Sequence, residues 1–90
     1  MHAVTIVIAG GIIVNKVRRN TIEKIYDKLT ELSEVLEDLE IEEDSYRENM
    51  PENFRGGKRY EQSESASYNI QDAVENISLA CESLEQIFEE

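Results

Sequence analysis

Apolar residues recur along this chain in alternating steps of three and four, and the rhythm is written twice. Ile22, Ile25, Leu29, Leu32, Leu36, Leu39, Tyr46 and Met50 carry it first, broken only by Glu43. After a proline-glycine break it returns in Tyr60, Ser63, Ser67, Ile70, Val74, Ile77, Cys81, Leu84 and Phe88. Each run is an a/d heptad seam. The pattern predicts an all-α fold, an antiparallel two-helix coiled-coil hairpin with helices over 20–50 and 58–89. Asn20 is placed to cap the first helix, and Glu23 three residues on can complete a capping box. Pro51 ends that helix by disfavouring helical geometry in the residue before it. Gly56 and Gly57 supply backbone freedom in the turn. The short connection makes the two helices antiparallel neighbours.

Antiparallel pairing sets which ends meet. Ile22 and Ile25 lie beside Leu84 and Phe88, giving an apolar open end. Tyr46 and Met50 lie beside Tyr60, Ser63 and Ser67, giving a polar end near the turn, where Glu43 is placed to accept a hydrogen bond from Ser63 or Ser67. The second helix carries more than this seam needs. Ala66, Ala73, Ala80 and Ile87 recur every seven residues at the g position and widen its stripe to a/d/g. So wide a stripe suits a helix with more than one neighbour. The expectation is a homodimer of hairpins, a four-helix bundle with those four residues at its interface.

The chain divides into an apolar and basic N-terminal segment, 1–19, and a hairpin domain, 20–90. Residues 3–14 (AVTIVIAGGIIV) are almost wholly apolar and rich in β-branched side chains. They read as a short β-like segment, with Gly10 and Gly11 placed as a two-residue turn. The run is shorter than the roughly 20 residues of a spanning helix. Its basic residues follow it, the reverse of a signal peptide. A membrane-associated segment and an extension outside the functional unit are the other readings.

Composition then narrows the function. Ninety residues make one small domain, and such chains often gain stability from a copy or partner. A net charge of −11 argues against direct contact with nucleic acid and suits a protein partner with a basic surface. The single cysteine, Cys81, can form no intramolecular disulfide, which fits a cytoplasmic location. Cys81 falls at an a position with no histidine to activate it, so it reads as a small core residue. His2 is the only histidine, and no di-iron Glu-x-x-His pair or calcium loop is present. Glu-x-x-Glu pairs such as Glu34/Glu37 and Glu61/Glu64 occur, but the Glu-x-x-Asp that small all-α nucleotide pyrophosphatases add does not. The chain is therefore read as a non-enzyme without metal or cofactor.

Two surfaces remain as candidates. Glu37, Asp38, Glu40, Glu42, Glu43 and Asp44 place six carboxylates in eight positions. They read either as a solvated face or as charge mimicry of a nucleic acid backbone, suited to a basic channel. At the turn, Phe54, Arg55 and Arg59 read either as anchors for a partner or as loop closure, with Phe54 tucked under the turn and the basic residues paired to nearby Glu48, Glu52 or Glu61.

The loop Asn49-Met50-Pro51-Glu52-Asn53, followed by Arg59-Tyr60-Glu61 and an acidic second helix, resembles a group of small acidic helical-hairpin proteins. They are encoded by Gram-positive bacteria and their phages and have no assigned function. The resemblance covers roughly residues 16–90. It implies a phage-type helical hairpin without an active site. The leading expectation is thus a protein-binding module docking on a basic surface of a host protein, such as an inhibitor of a nucleic-acid enzyme or defence nuclease. The alternative is a structural module that assembles bundles through the second helix and the apolar N-terminus.

Overall fold

A computed structural model describes the backbone of residues 3–88 and the side chains of residues 16–88. Helix α1 runs from Ala3 to Glu48 and helix α2 from Lys58 to Phe88, with a 3-10 turn at Glu52–Phe54 between them. The two helices pack against each other as an antiparallel hairpin, as the doubled heptad requires, in a molecule 70 Å long because the 46 residues of α1 run past the 31 of α2.

The N-terminal expectation is corrected. Residues 3–14 are helical and continue without a break through the boundary drawn at residue 19. A lone two-strand ribbon leaves half of its backbone groups without a partner, whereas a helix satisfies them within the segment. Asn20 therefore lies mid-helix and caps nothing.

The turn is tighter than its two glycines suggest. No described glycine has a positive φ. Pro51, at φ −58° and ψ 147°, redirects the chain into the 3-10 turn. Gly57 sits at a close approach, since a Cβ there would lie 3.3 Å from the Phe54 carbonyl oxygen, a tight contact that a small shift would have to relieve. Arg55 closes the end of α1: its Nη2 donates to the Glu48 carbonyl at 3.1 Å and its Nε to the Met50 carbonyl at 3.1 Å. These carbonyls are among those a helix C-terminus leaves unpaired.

The seam of α2 matches the sequence reading: Ser63, Ser67, Ile70, Val74, Ile77, Cys81, Leu84 and Phe88 are covered, as are Tyr60, Ala66, Ala73, Glu85 and Ile87 in part. The seam of α1 is rotated. Ile22, Leu29, Leu36, Glu43 and Met50 face α2 as expected, but the alternate positions are Tyr26, Ser33, Glu40 and Arg47. Ile25, Leu32, Leu39 and Tyr46 stay exposed, at 48%, 56%, 44% and 46%. In heptad terms, α1 is apolar at d and g but meets α2 through a and d, a turn of about 50° around its axis.

Polar pairing accounts for the rotation. Arg47 Nη1 donates to the Ser63 carbonyl at 2.7 Å, to Ser63 Oγ at 2.9 Å and to Ser67 Oγ at 2.8 Å. Its other terminal nitrogen meets Asp44, which also accepts from Ser67 Oγ at 3.2 Å. Ser63 Oγ donates to Glu43 at 2.6 Å, the bond expected from the sequence. With Tyr46 at the seam in place of Arg47, the two serines would lose their guanidinium donor beneath a bulky ring. Hydrogen bonds to a charged group contribute about 1.5–3 kcal/mol each, enough to set the rotation of a thin seam.

Candidate protein-interaction surface

In an antiparallel pair, the e rows of both helices flank the seam on one side and the g rows on the other. The two sides of this hairpin differ completely. The e side carries Glu23, Thr30, Glu37 and Asp44 from α1, and Glu64, Gln71, Ser78 and Glu85 from α2. Hydrogen bonds stitch it shut. Tyr26 Oη donates to Glu85 at 2.5 Å, and Gln71 Nε2 donates to Glu40. The bond to Glu85 is the main reason that the Tyr26 hydroxyl is pushed up to about 12. The Tyr26 ring meets Phe88 edge-on, with centroids 5.4 Å apart.

The g side is open. It carries Ile25, Leu32, Leu39 and Tyr46 from α1, and Ala66, Ala73, Ala80 and Ile87 from α2. The cross-helix bonds fix the register and bring these rows to matching heights. Ile25 is level with Ile87, Leu32 with Ala80, Leu39 with Ala73 and Tyr46 with Ala66. None of the eight is charged, in a chain that is 32% charged. The neighbouring c row over the same span holds Lys28, Val35 and Glu42 on α1 and Asn69, Asn76 and Ser83 on α2. Acidic residues crowd instead onto the b, e and f rows. The four interface residues expected on α2 thus lie on one face. The four on α1 that share it were missed, because the sequence pattern assigned them to the intramolecular seam.

Among the described residues no apolar side chain is buried; only Ser63 and Ser67 are, each 4% exposed. The apolar stripe of each helix points between its partner helix and solvent.

The acidic run is divided by the fold. Glu40, Glu43 and Asp44 turn inward and hold the hairpin together through Gln71, Ser63, Ser67 and Arg47. Glu37, Asp38 and Glu42 are exposed, on the e, f and c rows. Among the described residues no group of three or more His, Cys, Asp or Glu side chains could hold a metal ion. Cys81 is a free thiol, half-buried in the seam level with Leu29. No helix of the described residues is long and apolar enough to cross a membrane. His2 lies outside the described residues.

At the turn, Phe54 is not tucked under; it is 59% exposed. With Tyr46, Met50, Pro51 and Arg59 it lines an open cleft of about 680 Å³. Tyr46 belongs to both the cleft and the g face, so the two surfaces are continuous. Arg55 is committed to the carbonyls of α1, whereas Arg59 opens α2 at the head of its g row. No family model, curated protein or solved structure matches this chain.

Proposed function

We propose that this chain is a non-enzymatic protein-interaction module that works by helix packing, seating another helical surface on the g side of its hairpin. The observation that carries this reading is the clearing of charge from that side. Eight uncharged positions, seven of them aliphatic, form one strip about 32 Å long at 1.5 Å per residue, whereas on the b and f rows the exposed apolar residues Ile41, Tyr68 and Leu79 stand singly among carboxylates. An exposed apolar strip with polar edges marks an interaction site. The acidic rows on the remaining sides keep the assembled rod soluble and confine packing to the cleared face.

The second reading, docking on a basic host surface, draws its support from Glu37 and Asp38 together with the acidic b row, which includes Asp27, Glu34, Glu75 and Glu82. All of these are exposed. It is compatible with the first, since those rows stay outside when the g side is covered.

A photo-crosslinking residue at position 39, compared with one at position 78 on the polar side, tests the main reading in cells making the full chain. Protein adducts at 39 and few at 78 are expected. Equal yields at the two positions would overturn it.

A further inference from the structure

We infer that the g side is covered by a second copy of this chain, with both turns at the same end, so that α1 of each copy lies in the alanine row of the other's α2. This rests on the reading of the g side as a packing surface and adds its occupant and geometry. Three observations point to it.

The first is self-complementarity. The face pairs large with small at every level near its middle: Leu32 beside Ala80, Leu39 beside Ala73, Tyr46 beside Ala66. A two-fold axis along the rod sets α1 of one copy over α2 of the other at unchanged heights. Leu32, Leu39 and Tyr46 then each meet an alanine of the partner copy, as knobs need holes, and Ile25 meets Ile87 at the open end. A two-fold axis across the rod would set leucines on leucines and alanines on alanines, overpacking one half and leaving a gap in the other. The chain carries both ridge and trough, which an unrelated partner would have to supply.

The second is area. A strip about 32 Å long on a rod 18 Å wide gives a footprint near 600 Å² per copy, hence about 1,200 Å² in all. That reaches the range of specific interfaces.

The third is charge. Two chains of −11 repel each other, and contact through a side whose central rows hold only Lys28 and Glu42 minimises that repulsion. Neighbouring helices in the resulting four-helix bundle are all antiparallel, an arrangement helical bundles commonly adopt.

The test uses the full chain. Sedimentation equilibrium gives its mass, and Leu32→Glu should weaken self-association by about 100-fold or more by placing a charge in the contact. Position 32 is exposed in the single hairpin, so helicity should persist, and Ser78→Glu on the polar side serves as control. Geometry is read by spin labels at Gly56→Cys in a Cys81→Ser background. A Cβ at position 56 meets no atom within 4 Å and its φ is not positive. Turns at one end place the labels about 15–30 Å apart, a few helix spacings; turns at opposite ends place them about 55–60 Å apart.

A dimer that dissociates with Leu32→Glu but not Ser78→Glu, with the short distance, is expected. A dimer with the long distance would overturn the geometry. A mass other than a dimer's, or a dimer indifferent to Leu32→Glu, would overturn the second copy as occupant. Adducts at position 39 to other proteins would then leave the packing reading standing, and their absence would end both.

Discussion

The Tyr26 hydroxyl donates a hydrogen bond to the Glu85 carboxylate across the seam, at 2.5 Å. It ties the two helices together near the open end, and it makes stability depend on a tyrosine proton. The folded chain holds that proton more tightly than the unfolded chain, with the pKa raised from 10.0 to about 12. A group whose folded pKa is raised stabilises the fold fully below its unfolded pKa and loses that contribution as pH rises through the folded value. Thermal midpoints should therefore fall between pH 10 and pH 12 in the natural chain, and fall less in Tyr26→Phe. Parallel pH profiles of the two proteins would assign the drop to other groups.

Arg47 ties the turn end together as Tyr26 ties the open end. Arg47→Ala removes a guanidinium shared by Ser63, Ser67 and Asp44. The loss should be about 1–3 kcal/mol in urea unfolding. Arg47→Lys keeps the charge without the planar fork and should recover only part of it. A substitution costing no more than an exposed alanine would show that the serines are satisfied without the arginine.

Asn20 separates the two accounts of the N-terminal region by the sign of one substitution. At a helix start, Asn20→Ala would cost about 1 kcal/mol as a lost cap. Inside a continuous α1, the same change should stabilise by a few tenths of a kcal/mol, up to about 0.7, through helix propensity. The thermal midpoint of Asn20→Ala should rise.

Phe54 and Arg55 are neighbours with opposite roles. Phe54→Ala removes an exposed ring and should shift stability by no more than about 0.5 kcal/mol. Arg55→Ala uncovers two carbonyls at the end of α1 and should cost about 0.5–1.5 kcal/mol. The reverse order in denaturant titrations would restore the picture of Phe54 tucked under the turn.

The hairpin was legible in the sequence because its evidence is periodic. The seam of α2, the antiparallel register and the bond between Glu43 and Ser63 all follow from heptad spacing and one short turn. The rotation of α1 was not legible. Its d/g stripe is more apolar than its a/d stripe, and pattern reading assigns the more apolar pair to the nearest partner. That rule fails where polar pairs set the rotation of a helix. Buried serines on α2 select the arginine on α1, and the aliphatic row is left exposed. Arg47, seven residues after Glu40 and four after Glu43, was the available signal, but a charge at an a position reads as surface until its partners are known. The N-terminal run misled for another reason: β-branched residues report a preference that a continuous helix overrides when no strand is there to pair with.

A second copy packed on the g side adds to the stability that the hairpin has by itself. The most direct measurement is the thermal midpoint of the purified full chain followed over about a hundredfold range of its own concentration, since association stabilises by mass action. The midpoint should climb with concentration and become nearly independent of it in Leu32→Glu. A cooperative transition at one temperature throughout the range, the same in both proteins, would contradict it.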